Sequence, residues 1–220
     1  MSLPVIKATL PTDLNGVKNG QLPAELLRQV VTPGISSGGQ AHSLATRAWN
    51  ALVLVALQET GNTITVSGNP YRTFEQQKGL FVARYDPVSY AVYLLTAPSK
   101  KKYWPEALEY GYTSKYWRLR PGMAMAGVPG TSNHGLGLAF DTALFVDGKI
   151  VGITSNAWLW AWLSAPGLVT GVWAVGTGTN VESFGFSWET QSEPWHIRLV
   201  TGDYLSRRVR DIEAFLGITP

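Results

Sequence analysis

The ten residues from Ser132 to Asp141 read SNHGLGLAFD and join a histidine and an aspartate to an alternating pattern. If the second half is a β-strand, its side chains alternate between an apolar face and a face of small residues. The apolar face then holds Leu136, Leu138 and Phe140, and the small face holds Gly137, Ala139 and Asp141. A buried carboxylate is costly unless it is paired or metal-bound, and small neighbours leave room for an ion and a substrate. We therefore expect Asp141 and His134 to belong to a polar site.

A second short stretch, Glu193 to His196, reads EPWH. Pro194 favours an extended conformation for Glu193 and marks the entry of a strand, so a carboxylate lies just outside that strand and an imidazole just inside it. Two histidines and one carboxylate give zinc three protein ligands and leave a fourth position for water. A further glutamate nearby can take a proton from that water and return it to a leaving amine.

The composition limits which metal sites are possible. The 220 residues include no cysteine, which excludes disulfides, thiolate nucleophiles, iron–sulfur clusters and cysteine-ligated zinc. With 45% hydrophobic and 15% charged residues, the chain has the size and composition of one domain with a substantial core. The net charge of +3 is too small to indicate a nucleic-acid partner.

The start of the chain, MSLPVIKATLPTDLNG, contains one lysine and no apolar core of signal-peptide length. The longest apolar run, Ala51 to Leu57, is far too short to span a bilayer. We therefore expect a soluble chain that has no membrane span and no export signal of its own.

The order of predicted elements is typical of an α+β protein with a small antiparallel sheet flanked by helices. Residues 1–40, rich in Pro, Gly, Asn and Ser, are interpreted as an N-terminal arm with one short helix at about 23–31, and residues 41–220 as the domain. Apolar spacing and turn residues predict helices at about 41–60, 73–85, 155–164 and 203–216. Strands are predicted at about 63–67, 137–146, 149–153 and 195–200.

Both short stretches match motifs of a known family. SNHGLGLAFD fits S-x-H-x-x-G-x-A-x-D, and SEPWH contains E-P-W-H, two motifs of the zinc D,D-carboxypeptidases and D,D-dipeptidases. The chain resembles this VanY-like group, which shares its fold with the Hedgehog signalling domain. The motifs occur in the family's order, and the resemblance extends over about Ala41 to Val200. It implies one Zn²⁺ per chain, bound by His134, Asp141 and His196, with Glu193 as general base and acid.

Upstream, YRTFEQQ at Tyr71 to Gln77 is similar to the family's Y-R-S-x-x-x-Q segment. The resemblance implies that Arg72 stabilises the oxyanion and that Gln77 and Ser132 help to hold the substrate. Trp195 is expected to form a wall beneath the substrate or simply to pack. The chain departs from the family at one point, because Asn-Pro separates a Ser-Gly pair from Tyr71. This difference affects how far the Arg72 side chain reaches into the site.

The implied activity is hydrolysis of the D-Ala–D-Ala bond, or a D-Ala-linked bond, in the peptide stem of peptidoglycan. One alternative is an endopeptidase that cuts L-Ala–D-Glu or a cross-bridge, as phage lysins do. Another is a non-catalytic wall-binding domain that keeps the three metal ligands but tolerates loss of Glu193. Action on the bacterial cell wall is expected in each case, and a phage lysin made in the cytoplasm fits the start of the sequence.

The segment 84–120 has no clear period and is interpreted as an insertion or a long ordered loop. It carries nine Tyr and Trp residues, and seven basic residues against three acidic ones, a local charge of 7 − 3 = +4. One interpretation is a solvated basic loop over a small tyrosine-lined core. The other is a surface whose rings stack on sugars and whose cations attract an anionic wall polymer.

Overall fold

A computed structural model describes residues 5–35, 38–152, 157–166, 178–190 and 192–218. The α-helices are α1 (Ser43–Thr60), α2 (Phe74–Arg84), α3 (Tyr90–Leu95), α4 (Ala157–Ser164), α5 (Asn180–Ser183) and α6 (Arg207–Phe215). The strands are β1 (Leu27–Gln29), β2 (Gln40–His42), β3 (Thr63–Val66), β4 (Tyr85–Pro87), β5 (Lys101–Tyr103), β6 (Tyr116–Leu119), β7 (Ala139–Val146), β8 (Lys149–Gly152), β9 (Phe186–Trp188) and β10 (His196–Leu199). These elements confirm the predicted α+β class.

The main sheet is antiparallel, in the order β3-β7-β10-β9, with β8 also paired to β7. Its apolar face packs on α1, where Trp49 stacks on Phe140 with ring centroids 4.6 Å apart. Phe140 is fully buried in this core. Because side chains alternate along a strand, Asp141 lies on the opposite face, which is the face that carries the site.

Local signals that predicted the helices are present in the structure. Gly61 ends α1 with φ at 73°, and Thr73 begins α2 with a capping box shared with Gln76. The strands predicted at about 137–146 and 149–153 form the β7–β8 hairpin, which turns at Asp147 and Gly148, both with positive φ. The first two residues of the helix predicted at about 155–164 lie outside the described residues.

The prediction of a helix at 23–31 is wrong. A 3₁₀ turn at Ala24–Leu26 leads into β1, which pairs with β2. The segment before residue 41 packs on the rest of the chain, because Leu14, Leu22 and Val30 are buried in the main core.

Of the two interpretations of 84–120, the long loop is wrong, and the insertion stays a prediction. It forms a three-stranded sheet in the order β4-β6-β5, with α3 and a 3₁₀ helix at Pro105–Tyr110. A second core lies beneath it, in which Phe81 stacks on Tyr85 and contacts Trp104 and Trp117 edge-on. Among the helices of the described ranges, none is long and apolar enough to cross a membrane.

Candidate metal centre

His134 lies in a 3₁₀ turn, Asn133–Leu136, that leads into β7. The Ser132 hydroxyl caps this turn by accepting a hydrogen bond from the His134 backbone N–H. The imidazole is buried, and its Nδ1 lies 3.0 Å from the carbonyl oxygen of Pro70. A carbonyl accepts only, so Nδ1 carries the proton and Nε2 is the nitrogen with a free lone pair. Nε2 faces Asp141, with its nearest carboxylate oxygen 3.4 Å away.

Asp141 and His196 face each other across neighbouring strands. They are directly paired in the β7–β10 register, and Asp141 Oδ1 lies 2.9 Å from His196 Nδ1. The structure therefore brings together the three predicted ligands, which are 62 residues apart from first to last. Their ligand atoms all lie within 4.8 Å of one another.

This donor set fits a zinc ion. Zinc takes imidazole nitrogen and carboxylate oxygen at about 2.0–2.2 Å in tetrahedral geometry, so its ligand atoms lie about 3–4 Å apart. In His134 the nitrogen remote from Asp141 is held by a protein acceptor, which orients the other nitrogen toward a shared centre. His196 has the same arrangement, since its Nε2 lies 2.6 Å from Glu189 Oε2.

The electrostatics of the cluster favour a bound cation. Burial alone would raise the pKa of Asp141, but hydrogen bonds from both histidines hold it well below its usual range. Burial lowers the pKa of His134, and its contact with Asp141 opposes this only in part. Burial also disfavours the charged form of His196, yet its hydrogen bonds to Asp141 and Glu189 raise its pKa to about 9. Two carboxylates around one imidazole thus stabilise positive charge at this position.

Arg72 and Gln77 lie at the edge of the same centre. The Arg72 guanidinium donates to Asp141 Oδ2 at 2.5 Å, and its backbone N–H donates to the His134 carbonyl. The Gln77 amide is buried, donates to Arg72 O and Asn19 Oδ1, and accepts from Gly130 N–H. All its hydrogen-bonding groups therefore have protein partners, and one of them holds the backbone of Arg72.

An open cavity of about 730 Å³ borders the three ligands. Its lining includes the other predicted site residues: Arg72, Gln77, Ser132, Glu193 and Trp195. Glu193 is partly buried just before β10, and among the described residues its carboxylate has no hydrogen-bonding or ionic partner. A free carboxylate beside a metal-ligand set is suited to proton transfer.

Sequence reasoning missed Glu189, which follows β9 directly. Its carboxylate bonds His196 and accepts from Asn133 Nδ2 at 2.7 Å. Burial would raise its pKa, but these hydrogen bonds lower it to about 2. Glu189 could have been found only from the register of β9 and β10. That register pairs Trp188 with Ile197 and so places Glu189 beside His196. That register is not evident from the sequence, because the loop between the strands contains no recognisable hairpin turn.

No protein-family model and no curated protein matches the sequence. Several solved structures are similar at low identity, including the following three. A mutant of the vancomycin-resistance D,D-pentapeptidase VanY in complex with Zn(II) shares 22% identity over 90% of this chain and 88% of its own, with a TM-score of 0.43. VanYB in complex with D-alanine-D-alanine also shares 22%, over 100% and 99% of the two chains, with a TM-score of 0.43. The LdcB LD-carboxypeptidase shares 18% over 89% and 76%, with a TM-score of 0.46. Two of these structures bear the name of the VanY-like group that the sequence motifs resemble.

Proposed function

We propose that this protein is a zinc-dependent peptidoglycan peptidase that hydrolyses the D-Ala–D-Ala bond, or a D-Ala-linked bond, of the peptide stem. One observation carries the proposal: three metal-ligating side chains converge within 4.8 Å at an open cavity that also presents the free carboxylate of Glu193. The EPWH motif, which supplies Glu193 and His196, favours the D,D-peptidase branch.

The proposed roles follow from the positions of the side chains. His134, Asp141 and His196 hold the zinc ion, which when bound polarises the scissile carbonyl and lowers the pKa of a bound water to about 7. Glu193 takes the proton from the attacking water and delivers it to the leaving amine. Its lack of a described partner leaves both oxygens available for this transfer.

Arg72 supplies a fixed positive charge at the cavity wall. Its guanidinium has five N–H groups, and the bond to Asp141 uses one of them, so others can face an oxyanion. We propose that Gln77 supports substrate binding by holding Arg72, while Ser132 and Trp195 contact the peptide from the cavity lining.

The test is mass spectrometry of defined muropeptides incubated with the zinc-loaded protein, together with metal analysis. We expect about one zinc per chain and release of a terminal alanine. A freed stem or opened cross-bridge would instead identify the endopeptidase, and zinc binding without any product would identify a wall-binding domain. A protein that binds no zinc would refute the proposed mechanism.

We also propose that the segment 84–120 contacts the wall polymer on which the enzyme acts. Tyr90, Tyr93 and Tyr103 surround Tyr116 with ring centroids 4.9–5.4 Å away. The Lys101 ammonium lies 4.9 Å from the centre of the Tyr93 ring. Four tyrosine rings and one cation are thus combined in one cluster, a pairing suited to sugar rings and anionic groups.

The test is binding to purified sacculi at low salt. Replacing Lys100, Lys101 and Lys102 by Gln should weaken the pull-down. A matched control replaces the exposed Lys7, Lys18 and Lys149 by Gln, which changes the net charge equally and should have less effect. Equal binding of the two triple variants would refute a specific role for this segment.

A further inference from the structure

A row of three polar side chains crosses the main sheet at the metal centre. Asp141 on β7 is paired with His196 on β10, and Glu189 lies beside His196 at the end of β9. The His196 ring therefore lies between two carboxylates, with Nδ1 2.9 Å from Asp141 and Nε2 2.6 Å from Glu189. The ring nitrogen that faces Glu189 is the one remote from Asp141.

The two histidines are held in matching ways. His134 has its remote nitrogen on a backbone carbonyl, and His196 has its remote nitrogen on a carboxylate. A partner of this kind fixes the ring orientation and the tautomer of a metal-ligating histidine, and a carboxylate partner also raises the basicity of the ligating nitrogen. Glu189 thus has the geometry of an outer-sphere ligand partner.

Glu189 is itself anchored to the first motif. Its Oε1 accepts a hydrogen bond from Asn133, the residue before His134, and lies 3.8 Å from an Arg198 nitrogen. One carboxylate therefore connects the turn that carries His134 to the strand that carries His196. These contacts join the two ligand-bearing elements independently of the metal.

We propose that Glu189 is a positioning residue that orients His196 for metal binding and couples it, through Asn133, to the His134 turn. The inference rests on the proposed zinc function, but it concerns the strength of metal binding rather than the reaction. Glu193 and Glu189 would then have separate roles, one toward the substrate and one toward the metal.

The experiment measures the zinc dissociation constant by competition with a chromophoric chelator. Glu189→Gln keeps the shape and removes the charge, and Glu189→Ala removes the acceptor as well. We expect zinc to bind about 10-fold more weakly in the first variant and up to about 100-fold more weakly in the second. Asn133→Ala should give an intermediate loss, and it tests the inference even if the Glu189 variants fold poorly.

Glu213→Gln is the matched control. Glu213 is a buried glutamate that pairs with Arg47, between α6 and α1. This variant should lower the melting temperature of the metal-free protein and leave the zinc affinity unchanged. The inference is overturned if the Glu189 variants bind zinc as tightly as the wild type or more tightly, whether or not their melting temperature falls. A wild-type protein that binds no zinc would instead refute the proposed function.

Discussion

The two glutamates near His196 differ in what surrounds them. Glu189 bonds His196 and Asn133, and these hydrogen bonds lower its pKa to about 2. Glu193 lines the cavity without a partner among the described residues. A base must exchange protons during each turnover, so the carboxylate that is not already engaged is the better candidate.

The first prediction follows from that difference. Glu193→Gln keeps the side-chain volume but cannot accept a proton, so kcat should fall by about 10²- to 10⁴-fold while one zinc per chain is retained. The measurement combines muropeptide turnover with metal analysis. Replacing the exposed Glu106 by Gln is the control and should leave turnover unchanged. Turnover by Glu193→Gln at the wild-type rate would contradict the role of Glu193.

At the scale of elements, the turn that carries His134 is shaped by glycine. A Cβ at Gly135 would lie 1.9 Å from Asn19 Oδ1, and one at Gly137 would lie 2.7 Å from the backbone nitrogen of His42. Gly137 also has φ at 65°. The glycines of the motif thus let the turn approach both the N-terminal segment and the start of α1.

We therefore predict that Gly137→Ala is more destabilising than Gly61→Ala. Both positions have φ near 70°, so both substitutions should cost about 1–2 kcal/mol in conformational strain. A Cβ at Gly61 meets no atom within 4 Å, whereas the one at Gly137 meets backbone and should cost on the order of 1–3 kcal/mol more. Urea unfolding of the metal-free variants measures the difference. Equal losses would show that the backbone at His42 moves aside.

Elements with local signals could be predicted from the sequence, and elements without them could not. The alternation of β7 and the Thr73 capping box are readable within a few residues. The strand β1 depends on pairing with β2, eleven residues further along the chain, and that contact overrides the local helical spacing. In the segment 84–120 the strands have three or four residues each, too few to show a period of two.

The same distinction applies to the site. The three proposed metal ligands and Glu193 lie in two compact motifs, so a hypothesis about their chemistry is possible before the fold is known. Glu189 and Asn19 reach the centre only through strand register and loop packing, which are properties of the folded chain. Glu189 in particular lies seven residues before His196, outside the EPWH motif.

At the scale of the whole molecule, the metal centre joins parts of the chain that are distant in sequence. Zinc at 100 times its dissociation constant should add about 2.7 kcal/mol to the free energy of unfolding. For a chain of this size that corresponds to a rise in melting temperature of about 5–10 °C. Calorimetry with zinc and with a chelator measures the shift. His196→Ala should lose most of it, and a wild-type melting temperature indifferent to chelator would contradict a zinc site.

The N-terminal segment has a practical consequence for anyone who shortens this protein. Asn19 donates to the Ser132 carbonyl, and Gly20 donates a backbone hydrogen bond to Gly135 and accepts one from Phe74. Leu14 and Leu22 are buried in the main core. A version trimmed to begin at residue 41 would therefore uncover apolar surface and remove the support beneath the His134 turn. The minimal unit for expression should begin no later than about Thr9, whose backbone N–H donates to the Val200 carbonyl just after β10.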